Sequence, residues 1–174
     1  MRIFLIAGKA GSGKGEVAKL IKEFYIYKKE QCAITSYSKY IKNFTLELTD
    51  WDGTDANKPR SFMQEMGDKI RKNDPYYFTS NMIKDISVYE NYVHNLVIAD
   101  VRFPQELDEI RKHFDEVYTF YVVNEFGQSS LTIEQQSHIT ETALENYDDF
   151  DYFIINDTLE NLKEKIFKCL EEVQ

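Results

Sequence analysis

Four residues in one short stretch, Gly8, Gly11, Gly13 and Lys14, carry the clearest chemical signal in the chain. They lie in I-F-L-I-A-G-K-A-G-S-G-K-G, residues 3 to 15. Glycine lets a backbone turn tightly and approach an oxygen-rich ligand with no Cβ in the way. Successive backbone N–H groups then converge on a phosphate, helped by the positive end of the helix that follows. Lys14 is placed to reach the outer phosphates. The spacing of Gly8, Gly13 and Lys14 fits the phosphate-binding loop G-x-x-x-x-G-K-[ST], with Gly15 where the hydroxyl residue belongs. The candidate cradle is therefore Gly8, Lys9, Ala10, Gly11, Ser12, Gly13, Lys14, Gly15 and Glu16. Glu16 sets a negative charge beside the phosphates, so its side chain must turn away or meet a metal ion.

A second candidate group is cationic. Arg60, Gln64, Gly67 and Arg71 are spaced four, three and four apart, which stacks them on one face of a helix. Two arginines and an amide in one stripe suit an anion, with close approach allowed at Gly67. A solvated charged face has the same pattern. Arginine is scarce, with Arg2, Arg60, Arg71, Arg102 and Arg111 the only five, and that gives the pair weight. Asp100 and Arg102 form a third group, at the end of the apolar run N-L-V-I-A. An acid at the C-terminal end of a parallel strand lies in the crevice where ligands of α/β sheets bind, and in phosphate-loop enzymes an acid at that position steers Mg²⁺. The competing reading is a cap for the helix opened by Pro104.

The elements that position these groups follow from periodicity. Ile3 to Ala7 is a continuous apolar run, as in a parallel strand covered on both faces. Val17, Leu20, Ile21, Phe24 and Tyr25 predict a helix from Lys14 to about Glu30. Cys32 to Thr35 reads as a strand. The polar, aromatic segment from Ser36 to Lys42 leads into another helix, and Thr49 to Pro59 is turn-rich. Phe62, Met63, Met66 and Ile70 predict a helix from Arg60 to about Lys72. Asp74-Pro75 predicts a helix start with Asp as the cap, running to about Tyr89. Further strands are expected at Asn95–Asp100, Glu116–Val123 and Asp151–Ile155. Helices follow Pro104 and Asp157, the latter opened by a capping-box-like D-T-L-E. Strands alternating with helices predict a parallel sheet covered on both faces.

Composition limits the partners. The chain has 174 residues, 43% hydrophobic and 29% charged, enough for one domain with a sizeable core. Its net charge of -9 argues against general binding to nucleic acid or to an anionic membrane. Cys32 and Cys169 form neither a disulfide framework nor a metal spacing, which predicts a reduced, cytoplasmic protein. The N-terminal apolar run is interrupted by Lys9 and is too short for a signal peptide or a membrane span.

Taken together, these pieces resemble the nucleoside monophosphate kinase superfamily of P-loop kinases. They are most similar to bacteriophage-type deoxynucleoside monophosphate kinases and animal-type phosphomevalonate kinases. The resemblance covers nearly the whole chain and rests on G-K-A-G-S-G-K-G at 8–15, R-S-F-M-Q-E-M-G-D-K-I-R at 60–71, A-D-V-R-F-P-Q-E at 99–106, H-I-T-E at 138–141 and I-I-N-D at 154–157. It implies one α/β domain over 1–174, a three-layer sandwich around a five-stranded parallel sheet in the order 2-3-1-4-5. A helical acceptor-binding insertion is expected at 36–92 and a lid at 124–140. It also implies that residues 8 to 16 hold ATP, with Asn156 near the adenine. Lys14, Arg71, Asp100 and Arg102 would be catalytic, with Asp100 organising Mg²⁺. Ser38, Tyr40, Trp51, Arg60, Gln64, Gly67, Arg71, Arg102, His138 and Glu141 would border the acceptor. Tyr37, Tyr40 and Trp51 could stack a base or belong to the core, and His138 could simply start a helix. The expected partner is a small phosphate acceptor, first a nucleoside or deoxynucleoside monophosphate and alternatively phosphomevalonate, handled by a monomer or homodimer.

Two departures stand against that pattern. Gly15-Glu16 replaces the hydroxyl beside the metal. No lysine or arginine occurs between Phe114 and Asp157, whereas lids of this superfamily supply an arginine to the transition state. A protein that binds ATP without phosphorylating anything is therefore the second functional class.

Overall fold

The computed structural model describes residues 1–125 and 131–173. Five strands, β1 (Arg2–Ala7), β2 (Cys32–Thr35), β3 (Asn95–Val101), β4 (Val117–Asn124) and β5 (Tyr152–Asn156), form one sheet in the order β2-β3-β1-β4-β5. Every pairing is parallel. The expected order is thus observed. β1 sits in the centre, paired to β3 from Arg2↔Asn95 and to β4 from Ile3↔Val117.

The pleat of β1 divides the core in two. Phe4 and Ile6 point to one face, where α1 (Lys14–Tyr27) and α8 (Leu159–Glu172) cover them with Val17, Ile21, Phe24, Leu162 and Ile166. Ile3, Leu5 and Ala7 point to the other, against Met82 and Ile86 of α4 (Tyr77–Tyr89) and Leu107 and Ile110 of α5 (Pro104–His113). Each of these fully buried aliphatic and aromatic side chains contributes about 1.5–3 kcal/mol relative to exposure. The result is a three-layer α/β/α sandwich.

Between β2 and β3 the chain adds α2 (Lys39–Leu48), a turn segment at 49–59, α3 (Arg60–Asn73) and α4. Among the described residues between β4 and β5 are two short helices, α6 (Ile133–Ser137) and α7 (Ile139–Thr142). Residues 126–130, part of the expected lid, lie outside the described residues.

Some boundaries differ from the sequence reading. α1 ends at Tyr27, and Lys29 beyond it is left-handed at φ 62°. α4 begins at Tyr77, because Asp74 closes a turn first, accepting the Tyr76 amide at 3.0 Å on its carboxylate and the Tyr77 amide at 3.2 Å on its carbonyl. α8 is capped by Thr158, whose hydroxyl accepts the Asn161 amide at 3.3 Å, one residue later than expected. Among the described residues no helix is long and apolar enough to cross a membrane.

Candidate active site

The glycine loop leaves the C-terminal end of the central strand. Gly8, Gly11 and Gly13 have φ of 141°, 76° and 98°, a region closed to most L-residues. A Cβ at Gly8 would lie 2.3 Å from the Val122 carbonyl, so β4 presses against the loop there. In front of Gly11 and Gly15 a Cβ would meet nothing within 4 Å. The loop is thus braced behind and open in front. Ser12 is buried, and its hydroxyl has no hydrogen-bond partner among the described residues.

Lys14 folds back over this loop. Its amine donates to the carbonyls of Gly8 at 2.8 Å and Lys9 at 2.7 Å. Burial, with the Arg102 guanidinium nearby, pushes that amine down to about 7, against the opposing pull of Glu141 and Asp100.

A cleft of 610 Å³ opens from the loop toward α2 and α3. It brings together most of the residues singled out in the sequence: Ala10, Gly11, Gly13, Lys14, Gly15, Glu16, Ser38, Arg60, Gln64, Arg71, Asp100, Arg102 and Glu141. A smaller cavity of 420 Å³ behind the lip of the loop is lined by Lys9, Ser12 and the end of β4.

Two arginines in the cleft are each matched by a buried carboxylate. Arg71 lies between the rings of Phe103, 4.0 Å from its centroid, and Phe78, at 4.4 Å, and reaches Glu106 at 3.5 Å. Glu106 is fully buried, which raises its carboxyl to about 7, while the Arg102 amide at 2.7 Å and the Arg71 charge work the other way. Arg102 pairs with Glu141 at 2.8 Å and also donates to the carbonyls of Gly8 at 3.3 Å and Thr140 at 3.4 Å. The second oxygen of Glu141 accepts the Ala10 amide at 2.7 Å. That carboxylate ties the phosphate loop to α7 and to Arg102.

Asp100 ends β3 as expected, but both of its oxygens accept backbone amides, from Tyr37 at 2.6 Å and Ser38 at 3.0 Å. It caps the turn into α2, not the helix at Pro104. Among the described residues no group of three or more His, Cys, Asp or Glu could hold a metal. Glu16 pairs with Lys19 at 2.6 Å. Gln64 spans the cleft, donating to the Gln135 carbonyl and the Thr140 hydroxyl at 3.4 Å each.

Five expected site residues stand elsewhere. Tyr40 and Trp51 do not line the cleft: the Tyr40 hydroxyl bonds to Asp85 and its ring packs against Tyr77, while the buried Trp51 donates to the Thr54 carbonyl at 2.7 Å. Both are large aromatic surfaces that the insertion uses for its own core. Gly67 admits no ligand, since a Cβ there would meet Arg71 at 3.0 Å and Ile41 at 3.2 Å. It makes room for its own helix's arginine. His138 caps α7 through the Thr140 amide and reaches Asp68 of α3 at 2.9 Å. A neutral ring with its proton on Nε2 satisfies both contacts. Asn156 donates to the Ser12 carbonyl at 3.0 Å and supports the loop from behind.

Lys42, Lys58 and Glu106 are cleft residues that the sequence reading left out. Glu106 had a signal, an acid in the first turn of the helix opened by Pro104, where its carboxylate accepts the Phe103 amide at 3.2 Å. The two lysines had none that sets them apart from the other lysines.

Comparison with known proteins adds two findings. A family model described as phosphomevalonate kinase matches residues 6–116, which contain the glycine loop, the 60–71 stripe and the Asp100–Arg102 strand end. Similar folds include a sugar kinase from Janibacter sp. HTCC2649, solved without ligand, 15% identical over 98% of this chain and 95% of its own, with a TM-score of 0.61. Shikimate kinase from Aquifex aeolicus is 16% identical over 99% and 97%, with a TM-score of 0.54. At such identity these two speak for the fold. No curated protein sequence matches the chain.

Proposed function

The chain belongs to the phosphomevalonate kinase family, and from that premise we propose that it transfers the γ-phosphoryl group of ATP to a small acceptor that already carries a phosphate. The observation that carries this reading is the gathering of basic side chains at the glycine loop. In a chain of net charge -9, six bases, Lys14, Lys42, Lys58, Arg60, Arg71 and Arg102, line one cavity beside that loop, against five carboxylates, Glu16, Asp55, Asp100, Glu106 and Glu141.

In this reading an acceptor phosphate oxygen attacks the γ-phosphorus in line. A new P–O bond forms as the bond to the β,γ-bridging oxygen breaks, and ADP leaves with that electron pair. The attacking oxygen is already anionic, so no general base is required, and the protein's work is alignment and charge neutralisation. The loop amides and Lys14 would hold the donor phosphates. Arg71 is held flat between two rings and Arg102 is fixed at the loop, so both are preorganised for the acceptor side.

Mg²⁺ fits the residues present. It keeps several waters and takes one or two carboxylates together with substrate phosphates, so a three-carboxylate cluster is not needed. Asp100 would hold it, since each carboxylate oxygen keeps a lone pair beyond its amide bond. When bound, the ion neutralises charge on the β- and γ-phosphoryl oxygens.

The acceptor we favour is phosphomevalonate, because two of the three expected stacking surfaces for a base, Tyr40 and Trp51, are outside the cleft, and the third, Tyr37, is buried with its hydroxyl donating to the Glu106 carbonyl at 3.3 Å. A nucleoside monophosphate is the second reading, supported by the H-I-T-E segment at 138–141 and by Tyr37 on the cleft wall. The test is ADP production with phosphomevalonate and with each common nucleoside and deoxynucleoside monophosphate. We expect turnover that depends on acceptor and is abolished by Lys14→Ala. ATP binding without turnover on any acceptor would make the chain a nucleotide sensor instead.

A further inference from the structure

Resting on the phosphoryl-transfer reading, we propose that Glu141 is a built-in competitor for the transferring phosphoryl group: in the ligand-free chain its carboxylate occupies the anion site between the glycine loop and Arg102, and an entering nucleoside triphosphate must displace it. Its two oxygens carry the argument. One accepts the Ala10 amide at 2.7 Å, and the other pairs with Arg102 at 2.8 Å. Ala10 belongs to the donor loop, and Arg102 serves the acceptor side in the proposed reading. A negative group that bridges the two stands where donor and acceptor meet. The Glu141 side chain is only 7% exposed, so it sits within the cleft and not at its rim.

A carboxylate and a phosphoryl group ask the same of a site, namely N–H donors that converge and a cation beside them. The Ala10 amide has a single hydrogen, so it serves the carboxylate or a phosphoryl oxygen in turn. Arg102 keeps its bond to the Gly8 carbonyl at 3.3 Å, which holds it at the loop when Glu141 leaves. The charge of Glu141 also reaches the Lys14 amine, where it opposes the depression caused by burial and Arg102. A loop amide, an arginine and a lysine thus already face one internal anion.

A strap braced on both sides of the cleft holds that carboxylate in place. Glu145, one helical turn further on, pairs with Lys9 at 2.6 Å, so two consecutive loop residues are tied to the strap. On the far side His138 reaches Asp68 at 2.9 Å, and Gln135 donates to the Ser61 hydroxyl at 3.0 Å, both partners on α3. No lysine or arginine occurs between Phe114 and Asp157, so the strap brings acids to the loop and no base. A segment of that composition cannot neutralise a phosphoryl group, but it can stand in for one. A ligand that binds only the unstrapped form loses apparent affinity in proportion to that form's population, about tenfold where the strapped form holds nine-tenths of the chain.

The experiment titrates a non-hydrolysable ATP analogue and ADP, each with Mg²⁺, calorimetrically into the parent chain, Glu141→Gln and Asp68→Ala. Glu141→Gln removes the charge and keeps an acceptor for Ala10. It is expected to bind the analogue about tenfold more tightly than the parent, with ADP changed by less than about threefold, because ADP lacks the group that meets Glu141. Asp68→Ala removes the anchor on α3, leaves Glu141 intact, and is expected to tighten the analogue by about twofold or more. A merely structural Glu141 predicts the reverse, since a slackened loop binds both nucleotides more weakly. Unchanged or weaker analogue binding by Glu141→Gln overturns the proposal, and so does equal tightening of analogue and ADP. Should Glu141→Gln fail to fold, Asp68→Ala decides: tighter analogue binding supports the strap, and unchanged binding overturns it. A chain that binds the analogue but turns over no acceptor refutes the proposed function alone, and the same affinities still decide the role of Glu141.

Discussion

Binding of a nucleotide at the glycine loop should take up a proton. In the ligand-free protein the Lys14 amine stands at about 7, below its ordinary 10.5, because it is buried and faces Arg102. A polyphosphate in the loop brings negative charge against that amine and returns it toward its ordinary value. At pH 8 an amine with a pKa of about 7 is roughly nine-tenths deprotonated, so each nucleotide bound draws close to one proton from the buffer. Its own phosphates are already ionised at that pH and contribute little. Calorimetric titration of ADP at pH 8, in buffers that differ in ionisation enthalpy, reads this number as the slope of observed heat against buffer enthalpy. The expected slope is about 0.9, and apparent affinity falls roughly tenfold for each pH unit above 7. Lys14→Met should bind more weakly and take up none. A slope of zero for the parent chain at pH 8 refutes the reasoning. The same shift acts on stability. Between about 7 and 10.5 the unfolded chain binds a proton at Lys14 that the native one does not, so ligand-free stability rises with pH across that window, and the penalty is fully present below it.

Other expectations follow from single contacts. Gly13→Ala puts a Cβ 2.1 Å from the Asn156 amide at φ 98°, and should cost about 2–3 kcal/mol through backbone strain and a lost hydrogen bond, read by urea unfolding. Adding Asn156→Ala should recover the clash but not the strain. Glu141→Ala leaves the Ala10 amide without its acceptor and Arg102 without its counter-charge, and should destabilise the ligand-free protein by about 2–3 kcal/mol, somewhat less than a fully buried pair because Arg102 is 23% exposed. Glu141→Gln, which keeps an acceptor for Ala10, should lose less in the same denaturation assay. Trp51→Ala should cost about 3–5 kcal/mol in stability. It should leave acceptor specificity alone in the turnover panel, and a changed specificity at unchanged stability would put Trp51 back in the site.

The fold was legible because its signals are periodic and local. β1 and β3 read as unbroken apolar runs, and the loop between β1 and α1 has three glycines whose φ values all prove positive. The Arg60–Arg71 stripe read correctly as a helix face, and both arginines do reach the cleft. What was not legible depends on which side of an element faces what. Trp51 and Tyr40 have the same sequence signature whether they stack a ligand or fill a core, and here burial took them. Gly67 read as room for a ligand because the sequence does not show that Arg71 curls back over it. Lys58 lies in a turn with no periodicity, so nothing separated it from the other lysines until the turn was seen to lead into the cleft. Asp100 was placed at the right strand end, but its two amide partners come from residues 37 and 38, more than sixty positions away.

The central place of β1 has a consequence for how the chain is made. Its neighbours in the sheet start at Asn95 and Val117, and the side chain that supports the loop from behind is Asn156. At synthesis rates of about 5–20 residues per second, a strand begun at Arg2 waits on the order of 5 to 25 seconds for both partners. The apolar run Ile3–Ala7 has two open edges until β3 is made and one until β4 is made, and α4 and α5, which cover its second face, come only after residue 76. The segment that ends as the most enclosed in the protein is therefore, during synthesis, the one most in need of a chaperone. Its early appearance and late settlement also make the phosphate loop a marker of completed folding: nucleotide binding should arise only after β4 has joined the sheet.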